Sequence, residues 1–369
     1  MNFASDVLDS MVDWVRVIGK DNAVVYMNKA MRRYIEENPD DLDFNEGFFQ
    51  SPNGKIGIVD YEVFISSSFT VDEYSKDENR GIRVFAVIST PFVRDGAESE
   101  FTVEVFRDIT KLKNNNRMVI NQNNEYENNL DMAKMLQRKL LPNISPNNRI
   151  VFNYLYKPCY MLGGDFVDIY NIGADHLGVY IADVSGHGVA AAMLTVFLRS
   201  TISKRITSPA EALNALYREY NINNFESDVY ITVFYAIYDL RNNILKYSNA
   251  GHNATPVLFN KKDRENQRLL TSPGLPISNW VEKITYTEKS VQVESGDLLF
   301  LYTDGLAEIK NEDKTMFGQE RINNVLRVLK TDDHQIMLNE ILNYAYKFAG
   351  IKNESMQMDD ITMAFNELS

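Results

Sequence analysis

At 369 residues the chain is too long for one ordinary core, and at about 150 residues per domain it implies two domains with a linker. Apolar types make up 44% and charged types 24%, a balance that excludes a disordered or fibrous chain. The 51 acidic against 38 basic side chains leave a formal charge of -13, which repels nucleic acid and anionic lipid. Such an acidic excess is ordinarily a solvated surface, and otherwise a supply of ligands for divalent cations.

Cys159 is the single cysteine, so no intrachain disulfide can form and a reducing, cytoplasmic setting is expected. No apolar run approaches the roughly 18 to 20 residues of a membrane span, so no membrane association is expected.

The first hundred residues read as a small α+β unit with an antiparallel sheet. An opening helix from Val7 precedes an apolar run at Val15 to Ile18. The turn Gly19-Lys20-Asp21-Asn22 and a second apolar run at Val24 to Met27 give a hairpin signal. An amphipathic helix over Asn28 to Glu37 should stop before Pro39. Further strands are expected within Lys55 to Phe64, Gly81 to Pro91 and Glu100 to Phe106. The stretch Asp21-Asn22-Ala23-Val24-Val25-Tyr26-Met27-Asn28 and the closing Phe106-Arg107-Asp108-Ile109-Thr110 make this segment, residues 1–108, resemble a PAS sensor domain. The resemblance names no ligand, and nothing in it spells haem or flavin attachment.

Residues 109–141 contain neither Pro nor Gly, and Leu112, Val119, Tyr126, Ala133 and Leu140 recur at seven-residue steps. One continuous linker helix is expected. The complementary positions Asn116, Asn123, Leu130 and Gln137 are half polar or more, so a coiled coil here would be weak but register-specific, as suits a homodimer with a switch. A solvated spacer helix is the plain alternative.

Pro142 stops that helix, Pro146 marks a loop, and residues 142–369 form the second domain. Strands are expected at Val151 to Tyr156, Leu177 to Ala182, Val229 to Asp239, Ile244 to Ser248, Pro256 to Phe259, Asp297 to Tyr302 and Ile361 to Phe365. Helices are expected at Val189 to Arg205, Pro209 to Tyr220, Gln319 to Leu329 and His334 to Phe348. Two sheets faced by helices follow.

Four stretches place an Asp beside Gly or at a strand end: Gly163-Gly164-Asp165-Phe166, Ala182-Asp183-Val184-Ser185-Gly186-His187-Gly188, Thr303-Asp304-Gly305 and Asp359-Asp360-Ile361-Thr362. Any one of them reads as a turn or cap. Three of them flank clear strands, and four together read instead as carboxylates brought together, which need cations between them. All-oxygen ligands select hard ions, Mg²⁺ or Mn²⁺, over zinc.

This ordered set resembles the SpoIIE-type branch of the type 2C (PPM) metal-dependent Ser/Thr protein phosphatases, over roughly residues 130 to 369. Further matches are Leu136-Gln137-Arg138-Lys139-Leu140-Leu141-Pro142, Ala250-Gly251-His252-Asn253-Ala254-Thr255-Pro256 and the run from Gly296 to Gly305. The resemblance implies an αββα sandwich with two Mn²⁺ or Mg²⁺ ions between the sheets. It implies that Asp183 bridges both ions and that the Val184 carbonyl completes one sphere. Asp304 and Asp359 would hold the other ion, and Asp165 would hold water on the first. Asp360 is the alternative to Asp359, and Asp168 is an outer candidate. The implied activity is hydrolysis of phosphoserine or phosphothreonine by a water activated between the ions. The implied substrate is a phosphorylated anti-sigma-factor antagonist.

Cys159 cannot serve a cysteine phosphatase, because Asp165 stands six positions on where that chemistry needs an Arg. His187 and His252 sit in Gly-flanked turns and read as packing or supporting residues, and the proton donor to the leaving alkoxide is left open. Two departures from the family pattern are Ser278, where many relatives carry Gly, and the lack of an Arg before Asp165 to grip phosphate. The competing readings are a phosphatase-shaped regulator without activity and a hydrolase of small phosphorylated metabolites.

Overall fold

The computed structural model describes residues 3–19, 23–37, 59–65, 83–92, 101–142, 149–225, 229–352 and 357–368. Two compact units divide within the long helix, Met1–Tyr126 and Glu127–Ser369.

In the first unit the elements run α1 (Phe3–Asp9), β1 (Trp14–Gly19), β2 (Val24–Met27), α2 (Lys29–Glu37), β3 (Val59–Ile65), β4 (Arg83–Phe92) and β5 (Phe101–Asp108). They build one antiparallel sheet in the order β2-β1-β5-β4-β3. Asn28 joins its elements. Its Oδ1 accepts from Val15 N and Met31 N, both at 3.1 Å, capping α2, while its amide donates to the Asp13 and Leu8 carbonyls. On facing positions of β1 and β5, Arg16 and Glu104 form a buried ion pair at 2.6 Å beside the Phe106 ring. The Lys20-Asp21-Asn22 part of the expected turn, the Pro39 helix stop, the start of the strand expected from Lys55 and the loop around Pro146 lie outside the described residues.

Helix α3 runs unbroken over Thr110–Leu140, and the chain leaves helical geometry before Pro142 as the pyrrolidine ring requires. Leu112, Val119 and Tyr126 of the seven-residue series are exposed on it.

The second unit continues with β6 (Ile150–Lys157), β7 (Phe166–Ile172), β8 (His176–Val184), α4 (Val189–Thr201), α5 (Pro209–Asn223), β9 (Ile231–Asp239) and β10 (Ile244–Ala250). There follow β11 (Val257–Asn260), β12 (Asp263–Leu269), β13 (Lys289–Gln292), β14 (Asp297–Tyr302), α6 (Asp304–Ala307), α7 (Gly318–Val328), α8 (His334–Ala349) and β15 (Ile361–Leu368). Two antiparallel sheets result, β13-β10-β9-β8-β7 and β12-β11-β14-β15-β6.

Four layers follow from which face each residue buries. Inward side chains of both sheets, among them Ile181, Phe234, Leu299, Leu301 and Ala364, share one core with Leu198 of α4 and Leu213 and Leu216 of α5. On the outer face of the second sheet, Phe300, Met363 and Phe365 pack with Ile322 and Leu326 of α7 and Leu338 and Ile341 of α8. This is the expected αββα sandwich. Because strands in such a core are buried on both faces, β9 reads as an apolar run rather than an alternation.

Candidate metal centre

Strand ends carry the site. In the first sheet Phe166 pairs with Ala182, so Asp165, one residue before β7, comes beside Asp183 near the end of β8. In the second sheet Tyr302 pairs with Met363 and Thr303 N donates to Thr362 O at 3.0 Å, which brings Asp304 beside Asp359 and Asp360. The two sheets present these ends together: the Thr303 hydroxyl, from the second sheet, donates to Asp165 Oδ2 at 2.7 Å. Two glycines permit the approach. A Cβ on Gly164 would stand 2.7 Å from the Val184 carbonyl, and one on Gly305 would stand 1.9 Å from the Asp360 carbonyl.

The charges act on one another. Burial, then the charges of Asp183 and Asp360, hold Asp165 well above the usual carboxylate range. Burial, followed by Asp304, Asp359 and Asp360, pushes Asp183 up to about 8. Asp304 rises to about 6 through burial and the charges of Asp359 and Glu308. Asp359 is raised by partial desolvation, with Asp360 and Glu308 adding to it.

Asp360 differs from its neighbour. It is buried, and its Oδ1 accepts from Cys159 N at 2.8 Å while its Oδ2 accepts from Gly164 N at 2.6 Å. Both oxygens therefore anchor the loop that leads into Asp165. Asp359 is exposed, and among the described residues its carboxylate accepts only its neighbour's amide, Asp360 N, at 2.9 Å.

Asp168 is not brought to the cluster. Three residues beyond Asp165 on an extended strand it points to the opposite face. There it meets Arg199 Nε of α4 at 3.3 Å and the Ile169 amide, and its charge adds to burial in raising Tyr180. Its role is to tie α4 to β7, which corrects the outer-candidate expectation. Cys159 supplies a backbone amide, and burial pushes its thiol up to about 12, away from any nucleophilic role at neutral pH.

His252 braces the two sheets from within. Its Nε2 meets the Tyr302 carbonyl at 2.9 Å, so that nitrogen carries the proton, and its Nδ1 faces Thr232 Oγ1 at 3.3 Å. Thr232 Oγ1 also lies 3.3 Å from the Asp183 carbonyl. Burial holds His252 down to about 4, so the ring is neutral at physiological pH. His187 is exposed, its ring 4.6 Å from that of Tyr160. Ser278 is buried in a loop whose Ile277 exchanges backbone hydrogen bonds with Ile231 at the start of β9.

Thr303, Thr232 and the anchoring role of Asp360 were not assigned from the sequence. The Thr before Asp-Gly at a strand end was the available signal for the first. The other two depend on partners 20 to 201 residues away.

Among the described residues no three His, Cys, Asp or Glu side chains close into a ready ligand sphere. The donor set nevertheless fits a hard divalent cation. It is made of carboxylate oxygens, it is buried at Asp165, and no Lys or Arg among the described residues pairs with Asp165, Asp183, Asp304, Asp359 or Asp360.

The αββα sandwich is the fold of a PP2C domain. The chain superposes on the SiaA-PP2C domain of Pseudomonas aeruginosa with a TM-score of 0.58 at 22% identity, over 67% of this chain and 99% of that one. A family profile, Stage II sporulation protein E (SpoIIE), matches residues 173–367, more than half of the chain, and the chain belongs to that family. The match takes in Asp183, Asp304, Asp359 and Asp360 and begins after Asp165. Curated relatives include Protein IcfG of Synechocystis sp., 27% identical over 63% of this chain and 40% of that protein. Another is phosphoserine phosphatase RsbP of Bacillus subtilis, 29% identical over 48% of this chain and 45% of that protein. Phosphoserine phosphatase RsbU of the same organism is 23% identical over 51% of this chain and 56% of that protein. The chain thus spans about half the length of the curated relatives it matches. No helix among the described residues is long and apolar enough to cross a membrane.

Proposed function

We propose that the chain is a metal-dependent protein phosphatase that removes phosphate from phosphoserine or phosphothreonine. The observation that carries this reading is the meeting of Asp165, Asp183, Asp304 and Asp359, drawn from two sheets, with each carboxyl raised by burial and several by the charges of the others. The names of RsbP and RsbU, both phosphoserine phosphatases, support it.

Two Mn²⁺ or Mg²⁺ ions would be held by Asp183 and the Val184 carbonyl, by Asp304 and Asp359, and by Asp165. When bound, such ions lower the pKa of coordinated water toward neutrality and stabilise charge developing on a phosphoryl group. The chain's own part is to orient and exclude. Thr303 fixes one oxygen of Asp165, the Asp360 carboxylate fixes the loop before it, and neutral His252 fixes the strand ends that carry Asp183 and Asp304. Asp359 is preferred to Asp360 as the ligand because each oxygen of Asp360 already accepts a backbone amide of the loop, whereas the Asp359 carboxylate accepts one, and Asp360 is the alternative.

By family resemblance the substrate is a phosphorylated anti-sigma-factor antagonist. Residues 1–108 would be a PAS-like sensor, and residues 109–141 would transmit its state and pair two copies of the chain. The exposed Leu112, Val119 and Tyr126 on α3 support such pairing. A cytoplasmic setting accords with the lone Cys159.

The test is hydrolysis of a phosphoserine protein and of an aryl phosphate, with Mn²⁺ and with chelator. Release of phosphate should require the metal and vanish in Asp183→Asn. Activity that survives chelator overturns the metal scheme, and metal-independent binding of the phosphoprotein without turnover identifies a regulator instead.

A further inference from the structure

The segment Leu136 to Pro142 takes no part in the chemistry proposed above, yet it reaches the loop that delivers Asp165. Gln137, on the last turn of α3, is buried. Its Nε2 donates to the Gly163 carbonyl at 2.8 Å, and its Oε1 accepts from Gly163 N at 3.3 Å and from the Tyr156 hydroxyl at 3.1 Å. The amide thus pairs in both directions with one backbone residue, as a neighbouring strand would. The fit is close: a Cβ on Gly163 would stand 2.5 Å from the Tyr156 hydroxyl and 2.7 Å from Asp360 Oδ2.

The next residue, Gly164, is held from the other side by Asp360, and the one after it is Asp165. Helix α3 and the residue just before strand β15 therefore grip one short loop between them. All of these partners lie in the second unit. Leu140 packs on the core of that unit and Leu141 is buried in it, which fixes the end of the helix just past Gln137.

We infer that Gln137 is a positioning residue for Asp165, setting the Gly163-Gly164-Asp165 loop so that the carboxylate stands against the Thr303 hydroxyl. The inference rests on the phosphatase reading and extends it to control of the site. A helix advances 1.5 Å and turns about 100° per residue, so a slip of α3 by one residue carries the amide off Gly163. Asp165 then loses its support without any carboxylate being touched. The amide has no charge to titrate, so the control is geometric and independent of pH.

Three variants of the full chain test this. Gln137→Met keeps size and helix propensity but removes donor and acceptor. Gln137→Glu keeps the acceptor and loses the donor to Gly163 O. Lys139→Ala changes an exposed residue on the same turn. In metal-free protein, Gln137→Met should speed amide exchange over residues 159–165 by about tenfold or more, with β8 and β14 unchanged. Calorimetric Mn²⁺ affinity should fall by about tenfold, while kcat at saturating Mn²⁺ returns to within about twofold of the parent. Gln137→Glu should fall between, and it carries the test if Gln137→Met fails to fold; Lys139→Ala should match the parent. Unchanged loop exchange in Gln137→Met overturns the inference, as does faster exchange spread evenly over both sheets. Exchange needs no turnover, so an inactive parent sinks the phosphatase reading while the loop measurement still decides on Gln137.

Discussion

Strand β15 carries carboxylates at both ends, and the two ends are treated oppositely. Near its C-terminal end Glu367 accepts from Lys261 Nζ at 2.6 Å and from His334 Nε2 at 3.0 Å. Burial holds His334 below its ordinary range, so it serves there as a hydrogen-bond partner and Lys261 supplies the counter-charge. Before the N-terminal end, Asp359 and Asp360 join Asp165, Asp183 and Asp304, and among the described residues the partners are amides and hydroxyls rather than cationic side chains. The same residue class is compensated at one end and left to repel at the other. A fold keeps such an arrangement only if it is neutralised: in the metal-free chain the raised Asp165 and Asp183 hold protons at neutral pH, and divalent cations would take their place.

Replacing the central carboxylate should have the largest effect. Asp183→Asn should lower turnover on the order of a thousandfold, since under the proposed function Asp183 would hold the ions that stabilise the reacting phosphoryl. Its metal-free thermal stability should not fall, because Asn is neutral at every pH whereas Asp183 is neutral there only while it holds a proton. A marked loss of stability in chelator would mean that Asp183 is compensated after all, and the contrast with Glu367 would break.

The pH dependence of the metal-free protein tests the same point. Asp183 is raised from 3.8 to about 8 and Asp304 from 3.8 to about 6, so between pH 4 and 8 the folded state binds more protons than the unfolded state. Stability must then fall as pH rises through that window, by a few kcal/mol, and level off above it. Saturating Mn²⁺ should flatten the profile and raise Tm with metal concentration. Denaturant melts at pH 5 and pH 8, with and without metal, measure both. A metal-free profile that climbs with pH would remove the argument for a cation site.

At the compensated end the expectation reverses. Glu367→Gln should cost about 2 kcal/mol of stability at neutral pH, the weight of a charge-assisted hydrogen bond. Turnover and Mn²⁺ requirement should stay at the parent's values.

Much of this arrangement is legible in the sequence, and the reasons are local. The apolar runs that became β8, β9, β14 and β15 are long enough to announce strands, and an Asp after such a run points to a loop where groups are presented. Strand β7 was not anticipated because Asp168 sits in the middle of a buried stretch, and only its partner Arg199, 31 residues away, makes that tolerable. The edge strands β12 and β13 were also missed. β12 is Asp263-Arg264-Glu265-Asn266-Gln267-Arg268-Leu269, charged as sheet edges are, and Arg264 is satisfied by the Leu329 and Thr331 carbonyls of a distant turn. The identities of the clustered aspartates followed from motifs. The work of Gln137, Thr303 and Asp360 did not, because each acts through hydrogen bonds across the sequence that spacing does not encode.

The finest version of the contrast lies between two adjacent residues, and the effect on turnover expected at the second of them, Asp360, is modest. Asp360 engages both oxygens with backbone amides, so Asp360→Asn keeps one acceptor and leaves either Cys159 N or Gly164 N without its partner. The loop before Asp165 should loosen, and turnover should drop about threefold to tenfold with a higher Mn²⁺ requirement, as for a residue that orients a ligand. Asp359→Asn removes a carboxylate whose charge already acts on Asp183, and its loss should approach that of Asp183→Asn at any metal concentration. Measuring kcat against Mn²⁺ for both variants separates the roles. If Asp360→Asn proves the more damaging and cannot be relieved by metal, the two residues exchange places: Asp360 would be the ligand, and its bonds to the loop would be what aims it.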